Sequence, residues 1–225
     1  LVFVNGHFRP EHSSALPAGV ARFSEADAAQ RELIRRQLGS VMDSSLHLFG
    51  ALSDALAADG VLIHVPRNQT LDKPVYILNV STPETQPAMS SQRVLVVLED
   101  NAEAELIEHY VSGDEKQNLF VTAMTEVVVG NNARMQHYRI NLEQEDLLHV
   151  GGVHVNLHRD ARFLGFALGQ GSRLKRIDYH VNHCGQGAHL GLNGVYLPRN
   201  RQLIDYHTNV EHKVAHCTTD EVFRG

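Results

Sequence analysis

The chain has 225 residues, 43% hydrophobic and 20% charged, with a formal net charge of −6. That composition excludes an unstructured acidic tail, no apolar run approaches the ~18 residues that cross a bilayer, and the mild acidity supplies no electrostatic drive toward nucleic acid. Two cysteines, Cys184 and Cys217, cannot build a disulfide framework, so a reducing, cytoplasmic setting is expected.

In chain order, Leu1-Val2-Phe3-Val4-Asn5-Gly6 reads as a strand running into a turn, and Pro10 and Pro17 mark a loop. Ser24 is a candidate N-cap, with Glu25 and Asp27 placed to complement the helix dipole. Leu33, Ile34, Leu38, Val41 and Met42 then form an amphipathic stripe, which Gly39 interrupts. Asp43-Ser44 would cap a second helix with Leu46, Phe49, Leu52 and Leu56 on one face, ending at Asp59-Gly60. Residues 1–59 are therefore expected to form an N-terminal strand, loop and helical segment.

From residue 60 to 225 the apolar period changes to two, and strand-like runs follow in series. They are Val61–Val65, Val75–Val80, Arg93–Leu98, Ala104–Val111, Phe120–Val129 and Met135–Leu142, then Val150–Leu157, Phe163–Leu168, Arg176–His183, Gly194–Leu197 and Leu203–Val210. The last residues, Val222-Phe223-Arg224-Gly225, read as a strand cut short, which suggests a piece of a longer protein.

These runs carry an internal repeat. Leu62-Ile63-His64-Val65-Pro66-Arg67-Asn68-Gln69-Thr70-Leu71 matches Gly194-Val195-Tyr196-Leu197-Pro198-Arg199-Asn200-Arg201-Gln202-Leu203, with apolar second, fourth and tenth positions and Pro-Arg-Asn in common. The same frame fits the ten residues from Leu95, Glu126 and His154, where the seventh position is Asn or Asp and the eighth is Ala. Copies at 126, 154, 180 and 194 step by 28, 26 and 14 residues. A strand–turn–strand unit cannot bury its apolar face alone, whereas stacked units can. The expected fold is a mainly β, parallel β-helix (solenoid) core preceded by a short α-helical segment, in preference to an antiparallel jelly roll.

Fifteen histidines invite a metal reading. His154 and His158 would lie about 13 Å apart on a strand, too far for one ion. His180 and His183 point to opposite faces, as do the neighbours His183-Cys184 and His216-Cys217. In the repeat frame, however, Glu126, His154 and His180 share one position, and Val128, Asn156 and Asn182 another, so each set would stack as a ladder. An external polar ladder is the simpler expectation, and a carboxylate–imidazole surface for a metal or a partner the sharper one. Buried Cys184 and Cys217 are expected in preference to reactive thiolates. Glu143-Gln144-Glu145-Asp146 reads as a solvated turn. The chain carries no Walker-type loop, nucleophile elbow or His-Glu-x-x-His. No residue is assigned a catalytic, cofactor-binding or metal role.

Several separated blocks resemble the SufB/SufD family, most closely its SufD branch. They are Phe49–Leu56, Asp59–Pro66, Asp178–Val181, Asn193–Tyr196, Tyr206–His212 and Cys217–Gly225. The resemblance implies a right-handed parallel β-helix core and a non-catalytic scaffold role in iron–sulfur cluster assembly, including iron acquisition. It implies a SufB-like subunit and a SufC-like ATPase as partners. In such proteins a Cys-Ala-His-Gly-like segment and a SufC-docking helical region lie beyond the Phe-Arg-Gly block. Hence no cofactor is expected on these residues themselves, the cluster being handled by the full complex. Self-association through an open solenoid edge is also expected, and neither nucleic acid nor membrane is an expected partner. A β-helix enzyme or binding protein acting on polysaccharide is the alternative reading.

Overall fold

The computed structural model describes residues 1–43, 45, 47–57 and 59–225. Three short strands open the chain: β1 (Val2–Val4), β2 (His7–Phe8) and β3 (Val20–Arg22). Helices α1 (Ala28–Gln37) and α2 (Leu48–Leu56) follow. Then come β4 (Val61–Val65), β5 (Val75–Ser81), β6 (Ala88–Leu98), β7 (Glu103–Ser112), β8 (Leu119–Val129) and β9 (Arg134–Leu142). The last six are β10 (Leu148–Leu157), β11 (Arg162–Gln170), β12 (Leu174–His183), β13 (His189–Leu197), β14 (Leu203–His212) and β15 (Thr218–Arg224).

From β4 onward, even-numbered strands stack in parallel in one sheet and odd-numbered strands in the other. Each circuit of the chain lays a strand on its equivalent one coil earlier, giving a parallel β-solenoid of about six turns. His154 pairs in register with both Glu126 and His180, and Asn156 with Asn182. The steps of 28 and 26 residues are thus full turns. The 14-residue step crosses from β12 to β13, which lie in opposite sheets.

The N-terminal segment differs from expectation in its caps. Ser24 lies in a 3-10 turn and bonds Asp59 through its backbone N–H and hydroxyl. Asp27 caps α1 instead, because Gln30 three residues on completes a reciprocal capping box. The chain leaves α1 before Gly39 (φ +77°), so Val41 and Met42 lie in a bend after the helix rather than in a helical stripe. His47 precedes α2 without a side-chain cap, while Asp43 accepts from the Ser45 N–H. Ser44 and Leu46, part of the expected second helix start and face, lie outside the described residues. β6 and β13 each begin five residues early. The polar Ser90-Ser91-Gln92 stretch has little strand preference of its own and is drawn into the sheet by pairing with β8.

The repeat has a physical basis at one corner of the solenoid. After each even strand the chain turns through a left-handed residue: Asn68, Asn101, Asn132, Asp160, Gly187 and His216. Asn and Gly tolerate that conformation better than other residues. Successive turns stack, with the Asn101 N–H donating to Asn131 O at 2.9 Å and the Asn132 N–H to Arg159 O at 2.8 Å. Side-chain amides add a ladder: Asn132 Nδ2 donates to Asn101 Oδ1 at 2.9 Å, and Asn101 Nδ2 to Asn68 Oδ1 at 2.8 Å. The next residue turns inward against the core, and only a small side chain fits there. Ala102, Ala133, Ala161 and Ala188 fill it in four coils and are fully buried. Cys217 takes the same place in the last coil and packs against the core. Asn101→Ala removes both amide bonds and puts alanine, which tolerates the left-handed region less well than asparagine, at φ +59°. It is expected to cost about 1–2 kcal/mol, read as a lowered denaturant midpoint. Asn101→Gly should recover the backbone share alone.

Near these turns the space between the sheets is apolar, built from residues such as Val96, Val127, Val155, Phe163 and Leu190. Toward the opposite corner the inward positions change character.

Candidate functional site: a sealed ion network and a covered histidine face

Strand alternation sends Glu108 and Tyr110 of β7, and His137, Arg139 and Asn141 of β9, into the interior. Register places Glu108 beside Arg139, while β8, β10 and β12 contribute Thr125, His149 and Lys175 from the facing sheet. Glu108 accepts from the Tyr110 hydroxyl, the Thr125 hydroxyl and His137 Nε2, each at 2.7 Å. Arg139 lies over the Tyr110 ring at 4.7 Å and approaches Glu108 at 3.7 Å. Glu143 meets His149 Nδ1 at 2.8 Å and Lys175 Nζ at 3.1 Å. Two buried carboxylates are thereby matched by one guanidinium and one ammonium, as burial of charge requires. Glu143 is thus not part of a solvated turn. It sits 6% exposed at the floor of an open cavity of about 460 Å³ that Gln144, Gln170 and Arg199 help line.

Burial alone would push Glu108 up, but Arg139, His137 and Tyr110 outweigh it and hold the carboxyl down at about 2. Burial likewise opposes ionisation of Glu143, and His149 and Lys175 overcome it, holding Glu143 well below the usual carboxylate range. His183 moves down from 6.5 to about 4, through burial first and then the nearby His212 and His189. In each case the unfolded chain takes up the proton more readily than the folded one. Stability therefore falls with pH from about 6.5 toward 4 through His183, and again from 4.5 toward 2 through Glu108. Denaturant midpoints measured from pH 7 down to about 3 should show this decline, and Glu108→Gln should flatten its acid limb.

The second cluster lies on the outer face of the even-strand sheet. The turn after α1, at Gly39, Val41 and Met42, is fastened on this face to Glu126. That carboxylate accepts the backbone N–H groups of Gly39, Val41 and Met42 at 2.9–3.1 Å. Arg93 Nη2 donates to it at 2.6 Å, and both side chains are buried. The ladder predicted for Glu126, His154 and His180 is therefore real in register but not external: Glu126 is sealed and His154 is 2% exposed. The His154 and His180 rings stack at 5.0 Å, and His47 meets them edge-on at 5.1 and 4.3 Å. Asn182 Nδ2 donates to Asn156 Oδ1 at 2.9 Å, as the second ladder predicts. Asp178 and His207 complete the group. Burial is the main cause that lowers both His154, to about 3, and His180. Cys184 borders the same concavity, and burial pushes its thiol up, away from a reactive thiolate.

Sequence reasoning missed the interior network, although the inward parity of Glu108, His137, Arg139 and Lys175 could have exposed it. The neighbouring histidine pairs cannot chelate, whereas Asp178 and His180, two residues apart, share one strand face. His47 carries no such signal, because α2 delivers it from more than a hundred residues away.

The fold and these clusters define a parallel β-solenoid protein whose densest chemistry is structural ion pairing, with imidazoles gathered on one covered face. Two family descriptions match the chain in order. "SufBD protein N-terminal region" covers residues 1–77, and "SUF system FeS cluster assembly, SufBD core domain" covers residues 79–225. The chain belongs to the SufBD family. It is 25% identical over its whole length to "Iron-sulfur cluster assembly SufBD family protein slr0076" of Synechocystis, covering 52% of that protein. To "Iron-sulfur cluster assembly protein SufD" of Escherichia coli it is 24% identical over its whole length, covering 51% of it. To chloroplastic ABCI7 of Arabidopsis thaliana it is 25% identical, covering 79% of this chain and 41% of that protein. The chain thus spans about half the length of the first two relatives. No helix among the described residues is long and apolar enough to cross a membrane.

Proposed function

We propose that the chain is the solenoid portion of a SufD-like, non-catalytic scaffold subunit for iron–sulfur cluster assembly. The observation that carries this reading is the ordered match to both SufBD regions on a chain whose own repeat folds as a parallel solenoid. A scaffold needs rigid surfaces rather than a reactive centre, and the sealed ion pairs of the interior suit that role. The partners are a SufB-like subunit and a SufC-like ATPase in the cytoplasm, with the cluster as cargo rather than resident cofactor. Family membership leaves the polysaccharide alternative without support. Depleting the intact protein in its own cells tests the reading. Enzymes that carry iron–sulfur clusters should lose activity while cluster-free enzymes keep theirs, and unchanged cluster enzymes would refute it.

A further inference from the structure

We propose that His47, Asp178 and His180 bind one divalent first-row transition ion, which staples the start of α2 to the face of β12. The three side chains come from two separate elements, are all half-buried, and direct one ligand atom each into a common space. Those atoms all lie within 4.8 Å of one another. Ligands of a tetrahedral ion at 2.0–2.1 Å are about 3.4 Å apart, so small rotations of these half-buried rings close the site. Asp178 and His180 are fixed two residues apart on one strand. His47 is brought over them because Glu126 fastens the chain at Gly39, Val41 and Met42 just before it. The third ligand is therefore positioned by a contact independent of any ion.

The donor set selects the class of ion. Two imidazoles with one carboxylate suit Zn²⁺, Co²⁺ or Fe²⁺, whereas Ca²⁺ and Mg²⁺ take oxygen ligands. The competing contacts leave the site usable. Arg176 Nε donates to Asp178 Oδ1 at 3.0 Å and His207 Nδ1 lies 3.6 Å from the same oxygen. Both contacts fall on Oδ1, so neither engages Oδ2. His154, stacked on His180, closes the inner side, and the concavity of about 630 Å³ opens the other to solvent. The site is independent of the scaffold reading.

The test is titration of the protein with Co²⁺, followed by the visible absorption of the bound ion, with Zn²⁺ competition as a second probe. One ion per chain is expected. His180→Ala and Asp178→Asn should each weaken binding at least tenfold, and His158→Ala, in an exposed turn, should not. Backbone hydrogen exchange over residues 47–56 supplies a separate readout. Zn²⁺ should slow it in the parent protein and leave it unchanged in His47→Ala, a half-buried position that precedes α2 without capping it. Absence of stoichiometric binding, equal affinity in the His180 and Asp178 variants, or exchange insensitive to Zn²⁺ would each overturn the proposal.

Discussion

Glu126→Ala is expected to lower folding stability by about 3–5 kcal/mol, the range for stranding one half of a buried ion pair. The carboxylate holds Arg93, which is 2% exposed, and three backbone N–H groups of the segment over the sheet. Its loss leaves a guanidinium without its closest partner, Asp54 remaining only at 3.1 Å, and three donors without an acceptor. The effect should be spatially specific. Hydrogen exchange at Gly39, Val41 and Met42 should accelerate far more than at β10 or β12. Glu126→Gln keeps one carbonyl acceptor and should fall between the two. Equal stability of Glu126→Ala and the parent protein would show that the segment is held by other contacts.

Lys175→Met carries the second large effect, because Glu143 would keep His149 but lose its full positive charge within the interior. A cost of about 3–5 kcal/mol is expected at neutral pH. Glu143 should also titrate closer to its ordinary range, so the acid decline in stability should begin at higher pH than in the parent protein. Glu143→Leu combined with Lys175→Met removes both charges and should recover much of the loss, since a buried pair offers little over packed apolar groups. Urea midpoints of the parent protein, the single variant and the double variant distinguish these outcomes. Additive losses in the double variant would mean that the two groups do not act as a pair.

Much of the solenoid was legible because its information is local. Alternation marked the strands from β4 onward, and the recurring Asn and Ala positions marked the corner where a left-handed turn precedes an inward alanine. Val61–Val65 appears as expected to the residue. β15 was harder: Thr218-Thr219-Asp220-Glu221 lacks an apolar face and becomes strand only through pairing with β13. The same limit applies to the early residues of β6. Helix caps were misplaced where Ser24 and Asp27 competed for one boundary, and the Gln30 side chain decided between them.

The clusters were less legible for a different reason. Register equates Glu126, His154 and His180, which the repeat revealed. It does not say that Gly39, Val41 and Met42 seal Glu126 or that His47 is set against the imidazoles. The acidic neighbours of Glu143 suggest a solvated turn, yet Lys175 and His149 reach it across coils and sheets, a relation no window of sequence contains. Gly171 shows how tight that corner is: at φ +77°, an added β-carbon would fall 1.4 Å from the Glu143 carbonyl oxygen.

The central claim, a scaffold within a SUF assembly, is tested most directly by anaerobic affinity purification of the intact protein from its own cells, with native mass spectrometry of the captured complex. A SufB-like subunit and a SufC-like ATPase should be recovered in defined stoichiometry. A folded protein recovered alone, or with partners unrelated to cluster assembly, would contradict the account.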